Sequence, residues 1–333
     1  MLFEAVIEGW DSWEATYQDK TLFAPLVREM LERHGLRYTG IDKAFHASNA
    51  VFLCGEYIVK IAAPEEVGFG DISEEEEESM GEMSAMLMQF KEDDAVCLGD
   101  IETEVFATAR ANRLGVASME LIAEGTVEDK YRFDYLITRF IKGVPFKDKM
   151  ETMTEEEKLS FAKELRKTMA LFNTPSEDFK KIRGFDILRD PSRHRRWSIY
   201  PQSFREERMR HVFSKDYGER VMVHGDLNGG NILLDDKGMY IIDFADCVLA
   251  PVIYEHAMIA VELFSFDPYL LKGFFGDISR EELTDICVEG LLIHDFGADL
   301  VVSNIAKAEK IESIKTLREL IWNKLEAFAV QKV

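Results

Sequence analysis

The stretch VHGDLNGGNILLDDKGMYIIDFADC, Val223 to Cys247, carries three side chains whose types and spacing could do chemistry: Asp226, Asn231 and Asp243. Gly225, Gly229 and Gly230 allow the intervening loop to turn tightly and to approach a ligand without side-chain hindrance. Val221–Val223 and Ile232–Leu234 read as strands, DDKG as a turn, and MYIIDF as the returning strand that ends at Asp243. Antiparallel pairing then brings Asn231 beside Asp243, with Asp226 across the loop. A carboxylate and an amide oxygen form a hard-oxygen pair suited to Mg²⁺, which keeps waters and borrows phosphate oxygens for its remaining ligands. A further aspartate nearby can accept or orient a hydroxyl proton, and the whole set is what phosphoryl transfer needs. A β-turn whose carboxylates merely face water would not require separated positions, glycines and flanking strands at once.

The run H-G-D-x-x-x-x-N-I-L followed by an apolar residue and I-D-F-x-D resembles the aminoglycoside phosphotransferase and choline kinase family, relatives of the protein kinases. The resemblance implies that Asp226 is the catalytic aspartate, that Asn231 and Asp243 hold Mg²⁺, and that His224 supports the loop. It continues through DFADCVLAPVIYE, where Glu255 takes the last acidic place. Upstream, ASNAVFLCGEYIVKI is similar to the nucleotide-covering turn and third strand of that family. This makes Lys60 the lysine for the ATP phosphates and places Ser48 and Asn49 in the nucleotide loop. A strand lysine by itself is most often solvent-facing, so this role depends on the hairpin downstream. The partner of Lys60 would be a helix glutamate, Glu104, with Glu102 as the fallback. RFDYLITRFIKG resembles the hinge bordering the adenine, with backbone groups from Thr138 to Phe140 against the base. Two features depart from the family pattern. Phe172-Asn173 stands where a Leu-His pair often closes the first helix of the C-terminal lobe, and the acidic excursion after Lys60 is unusually long.

The elements that must position these groups are legible in outline. Apolar residues at 22, 23, 26, 30 and 31 predict a helix stopped by Gly35. Asn49–Leu53 and Tyr57–Ala62 read as strands around a Cys-Gly-Glu turn. Residues 64–100 break the pattern, with SEEEEES as a solvated face. Met83, Met86, Leu87 and Phe90 follow on one face of a short helix. IETEVFATARANRLGV reads as a helix ended by Gly115, and RFDYLITRF as a strand leading to the Lys142-Gly143 hinge. Thr154 and Glu157 form a capping box for the next helix, which stops before Pro175. The locally basic run over 180–200 reads as a salt-bridging surface. The chain closes on a helical stripe of Ile311, Ile314, Leu317, Ile321, Leu325 and Phe328.

The fold expected is therefore α+β, bilobal and protein-kinase-like. A small β-rich N-lobe with one long helix spans 1–142 and carries an acidic insertion at 64–100. A larger α-rich C-lobe spans 143–333 and carries the catalytic hairpin. The net charge of −22 over 333 residues excludes sequence-independent nucleic-acid binding, which depends on neutralising phosphates. An acidic start without an apolar run and four dispersed cysteines lead to the expectation of a cytoplasmic protein with reduced thiols and no membrane segment. The activity expected is transfer of the γ-phosphate of ATP, with GTP left open, to a hydroxyl of a small cationic molecule such as an aminoglycoside-like antibiotic, choline or an amino sugar. Glu262, Asp267, Asp295 and Asp299 are candidates to line its pocket. Two alternatives stand beside this reading: a kinase acting on proteins, against which the missing D-F-G and A-P-E segments count, and a catalytically silent nucleotide-binding module, against which the intact Asp226, Asn231 and Asp243 count.

Overall fold

Phe23, Leu26, Val27, Met30 and Leu31 recur at helical spacing, and all five are buried. They lie on one face of Lys20–Arg33 (α2), which follows the short helix Trp10–Glu14 (α1). Asp19 starts α2 by accepting the N–H groups of Thr21 and Leu22 at 2.8 and 3.1 Å. The computed structural model describes residues 1–64, 67, 100–176 and 196–330. The expected helix at Met83–Phe90 and most of the basic run over 180–200 lie outside the described residues.

The buried face of α2 joins the core of a five-stranded antiparallel sheet in the order β1-β2-β3-β5-β4. Its strands are Lys43–Phe45 (β1), Ala50–Cys54 (β2), Tyr57–Ile61 (β3), Leu121–Glu128 (β4) and Arg132–Arg139 (β5). β1 and β4 were absent from the sequence reading, because Lys43–Phe45 is short and Leu121–Glu128 alternates poorly. Helix Asp100–Arg113 (α3) leaves this layer to join the second core, burying Ala107 and Ala111 there. Beyond α3 the chain is stitched to the hairpin: Ile241 N–H donates to Ala117 O at 3.0 Å, and Ser118 forms a parallel bridge with Ile241.

The second core is mostly helical. After Val144–Pro145 (β6) come Phe146–Lys149 (α4), Glu155–Phe172 (α5) and Gln202–Ser214 (α6). The expected capping box of α5 is formed, with Thr154 N–H donating to Glu157 Oε2 at 2.8 Å and Glu157 N–H to Thr154 Oγ1 at 3.2 Å. Val221–Val223 (β7) pairs with Val248–Ala250, while Ile232–Asp235 (β8) and Gly238–Ile241 (β9) form the hairpin, with β6 on its edge. The pair Ile232↔Ile241 closes the hairpin next to Asn231 and Ile242. Val248–Ala250 is β10, and Val252–Met258 (α7) runs on as a single π-helical turn over Ile259–Leu263. Pro268–Phe275 (α8), Arg280–Ile293 (α9), Gly297–Asn304 (α10), Ile314–Lys324 (α11) and Glu326–Val330 (α12) complete the chain. The closing stripe is therefore not one helix. Ser313 Oγ caps the N–H of Thr316 at 3.1 Å and starts α11, so the buried Ile311 precedes it. Among the described residues no helix is long and apolar enough to cross a membrane.

His256 of α7 sits edge-on to Phe274 and Phe275, each ring centroid 5.6 Å away. Burial pushes its pKa down to about 4, and the charge of Arg166 acts in the same direction. A histidine depressed in the folded state binds fewer protons than in the unfolded chain between about pH 4 and 6.5. Its contribution to stability is present above that window and is lost as the pH falls through it. Replacing His256 by Leu should therefore reduce the stability lost between pH 7 and pH 5 by about 2 kcal/mol, measured by urea unfolding at both values. An unchanged pH slope would contradict a neutral His256.

Candidate active site

Three distant parts of the chain meet at one ammonium group. Lys60 Nζ of β3 lies 2.7 Å from Glu104 Oε2 of α3 and 2.7 Å from Asp243 Oδ1, just past β9. Lys60 is 8 % exposed and Glu104 2 %, so this strand lysine faces inward, onto the glutamate that the resemblance implies as its partner. Burial alone would lower the Lys60 pKa, but Asp243 and then Glu104 outweigh it and hold it above the usual lysine range. Burial also works against the Asp243 carboxylate, and the Lys60 charge beside it keeps that pKa low. The phase of α3 selects Glu104, because Glu102 is exposed.

The loop after β7 is built around Asp226. Its Oδ2 accepts Nδ2 of Asn228 at 2.9 Å and Nδ2 of Asn231 at 3.0 Å, and among the described residues none donates to its Oδ1. Burial pushes Asp226 up to about 7, and the Asn228 hydrogen bond opposes this. The amide nitrogen of Asn231 also donates to Asp226 O at 2.8 Å, which turns its carbonyl oxygen away from the loop. Ile242 N–H donates to Asn231 O at 3.0 Å and so sets Asn231 beside Asp243. Gly225 has φ of 85°, and a Cβ there would stand 2.1 Å from Asp246 O, so no other residue fits.

His224 joins the two halves of this arrangement. Its Nδ1 accepts the N–H of Asp226 at 3.3 Å, which leaves Nε2 to donate to Ile242 O at 2.9 Å. Burial pushes its pKa down to about 4, so the neutral ring that both bonds require is the stable form. Behind it Glu255 accepts the backbone N–H of His224, and burial pushes this carboxyl up to about 7. The last acidic position of the motif is thus a buried support of the loop.

The remaining predicted residues divide by what they touch. Ser48 is exposed, and its carbonyl accepts the Trp13 indole N–H at 2.9 Å. Asn49 is buried, and its Oδ1 accepts the N–H of Ala63 at 3.4 Å. Thr138 is buried in β5 with its hydroxyl unpaired. The N–H of Phe140 is already spent on Glu56 O at 2.9 Å, so that donor is not open to a base. Glu262 and Asp299 line a 220 Å³ cleft that opens on Asp226, together with Asn228, Met258, Phe296 and Leu300. Asp267 lies elsewhere, capping α8 through Tyr269 and Leu270 and pairing with Lys158 at 2.6 Å. Sequence reasoning missed Asn228 and Phe296. The N-G-G sequence signalled the tight loop that holds Asn228, whereas nothing local marks Phe296.

The model of the phosphotransferase enzyme family matches residues 46–282, more than half of the sequence. This chain belongs to that family. No curated protein matches this phosphotransferase by sequence. Its fold is similar to that of a thermostable mutant of aminoglycoside phosphotransferase APH(4)-Ia in ternary complex with AMP-PNP and hygromycin B. There the identity is 13 %, the coverage 91 % of this chain and 97 % of that one, and the TM-score 0.53. It is also similar to a mutant of aminoglycoside 2'-phosphotransferase-IIIa in complex with GDP, with 13 % identity, coverage of 93 % and 100 %, and a TM-score of 0.52. At such low identity these likenesses bear on the fold, which is α+β, bilobal and protein-kinase-like.

Lys60 replaced by Ala would leave two carboxylates facing each other, one of them buried, and the phosphotransferase should lose about 3–5 kcal/mol of stability in urea unfolding. Pairing Lys60→Met with Glu104→Gln removes both members of the buried pair and should recover most of that loss. Equal instability of the single and the paired variants would show that the ion pair is not what Lys60 contributes.

Proposed function

We propose that this phosphotransferase moves the γ-phosphate of ATP to a hydroxyl of a small cationic molecule, with Asp226 as the catalytic residue. The observation that carries the reading is the position of Asp226, whose free Oδ1 lies beside an acidic cleft and one short loop from the Lys60–Asp243 pair. Oδ2 is held by two amides, so the carboxylate is fixed in orientation and Oδ1 is left to accept the acceptor's hydroxyl proton. Lys60 is held charged and aimed between the lobes, where its ammonium can hold phosphate oxygens. Glu104 fixes it from behind. In this reading Ser48 and Asn49 shape the loop over the nucleotide. Its base lies along the backbone of Thr138–Phe140, at the end of β5.

The donor set fits Mg²⁺. Asn231 offers an amide oxygen and Asp243 a carboxylate, both hard oxygens on neighbouring backbone. Among the described residues no cluster of three His, Cys, Asp or Glu forms a protein cage, which agrees with an ion that completes its shell from water and phosphate. When bound there, Mg²⁺ would neutralise charge on the phosphates.

The cleft supports the choice of acceptor. Glu262 and Asp299 place two carboxylates around 220 Å³ of space, and Phe296 adds an aromatic face. That volume suits one sugar ring or a quaternary ammonium alcohol, with the rest of a larger acceptor reaching outward. A neutral sugar would bring no positive charge to complement these carboxylates. Aminoglycoside phosphotransferases of similar fold form complexes with hygromycin B and with streptomycin, and this agrees with the reading. GTP as donor stays within the same chemistry, because the phosphate contacts do not read the base.

Asp226→Asn and Asp243→Asn separate the two roles. Asp226→Asn removes the proton acceptor but neither proposed metal ligand. Binding of Mg²⁺-AMP-PNP, followed by calorimetry, should persist while acceptor phosphorylation falls by about 10² to 10⁴. Asp243→Asn weakens both the metal and the Lys60 anchor, so nucleotide affinity and turnover should fall together. If both variants lose nucleotide equally, or both keep full turnover, the division of labour is wrong.

A further inference from the structure

A guanidinium stands at the mouth of the acceptor cleft. Arg196 Nη1 lies 2.7 Å from Asp299 Oδ2, and the Arg196 Cζ is 4.8 Å from the centroid of the Phe296 ring. Asp299 and Phe296 both line the cleft that opens on Asp226. A planar cation against an aromatic face and paired with a carboxylate is also the arrangement that would recognise a cationic ligand.

The surroundings fix the backbone of Arg196 while leaving its side chain able to swing. Trp197 is buried next to it, with the Arg208 guanidinium 4.4 Å over its ring and Tyr200 and Phe204 packed against it. The Tyr200 hydroxyl donates to Ala298 O at 2.6 Å, which ties the helical turn at 196–199 to α10. By contrast the side chains of Arg196 and Asp299 are 46 % and 50 % exposed. A pair so open to water is weak and screened by salt, so a ligand can displace it.

We infer that Arg196 is a specificity-determining residue whose guanidinium occupies the cation seat formed by Asp299 and Phe296, so that a cationic acceptor binds by displacing it. The inference rests on the reading of a cationic acceptor given above. Two consequences follow from the geometry. The acceptor's cation must lie at the outer end of the cleft while its hydroxyl lies at Asp226. A compound without a cation cannot take over the carboxylate that Arg196 holds and therefore gains less from the cleft. Acceptor affinity is lowered by the fraction of time the seat is occupied.

The test is a cycle of Arg196→Gln, Asp299→Asn and the double variant, assayed with kanamycin, glucosamine and choline as probes. Initial rates give kcat and KM, and calorimetry gives affinity. If Arg196 holds the seat most of the time, Arg196→Gln should lower the KM of at least one probe about two- to fivefold. The kcat and the KM for ATP should not change. In the Asp299→Asn background the same substitution should give no gain, because the seat itself is gone. A gain that persists there would mean only that a positive charge had been removed from the vicinity, and would overturn the inference. So would unchanged or weakened affinity for all three probes, the result expected if Arg196 merely supports the cleft. Phosphorylation of a cationic probe with no gain in Arg196→Gln would sink this inference alone. Phosphorylation of neutral alcohols only would remove the cationic-acceptor reading and the inference with it.

Discussion

An ammonium group taken out of water must be matched by negative charge, and Lys60 is matched twice. Each of its carboxylate contacts is 2.7 Å, and they come from a helix and from a strand end more than forty and more than one hundred and eighty residues away. Removing a lysine charge from water costs several kcal/mol, so the pair of contacts is a condition of the fold as well as a feature of the site. It fixes the height of α3 against the sheet and the approach of the hairpin to both. The stitch between Ala117, Ser118 and Ile241 holds the same three elements by backbone bonds, so side-chain charge and main chain agree on one arrangement. One carboxylate more than the ammonium needs is left in this group. That excess is what a metal ion could neutralise.

The residues closest together in sequence were the easiest to read. Asp226, Asn231 and Asp243 fall within one loop and one hairpin, and a period-two pattern with a tight turn is enough to bring them together. Lys60 could be placed on its strand by the same local logic, but its burial could not, because burial depends on α3 and on Asp243. The family spacing favours Glu104 over Glu102, and the helix phase agrees, since Ala107 and Ala111 face the second core while Glu102 is exposed. Asn49 shows the opposite case. Its type and place suggest a ligand contact, yet its side chain ties the start of β2 to the chain after β3. In the hinge the N–H of Phe140 goes to Glu56 O, a pairing that no local pattern records. The cleft beside Asp226 was the least legible part. Glu262, Phe296 and Asp299 meet through the packing of α7 and α10, which no local pattern records.

Strain is concentrated where the site needs unusual directions. Among the described residues three non-glycine positions have positive φ: Asp243 at 62°, Ser265 at 47° and Phe266 at 61°. Such conformations cost of order 1 kcal/mol each and persist only where the surroundings over-determine them. Asp243 is held by Lys60, and its left-handed backbone turns the carboxylate out of the sheet rotation toward the lysine. Ser265 and Phe266 follow the π-helical turn over Ile259–Leu263, which carries Glu262. An extra residue in a helical turn rotates the side chains that follow it, and here Glu262 lines the cleft with Asn304 holding its Oε2 at 2.7 Å. Both irregularities therefore aim a carboxylate.

The buried titratable groups around Asp226 form a balanced set. His224 is pushed down to about 4 and Glu255 up to about 7, each by burial, so near neutrality the imidazole is neutral while the carboxyl is shared between its two forms. A charged His224 could not accept the N–H of Asp226, and the loop would lose one of its fixed points. Asp226 is raised first by the burial of its own carboxyl, against the Asn228 hydrogen bond, and then by the charges of Asp246 and Asp243. A carboxylate raised in this way is a stronger base than one in water, which suits it to take a hydroxyl proton. Its cost to stability is the mirror of that advantage. A carboxyl with a folded pKa above its unfolded value favours the folded state only while protonated, so its contribution is lost as the pH rises through the folded value near 7. The two amides on Oδ2 limit this loss by stabilising the charged form. The loop thus gives up some stability at neutral pH to keep a basic oxygen facing the cleft, and Asn228 and Asn231 keep that loss within what the fold can carry.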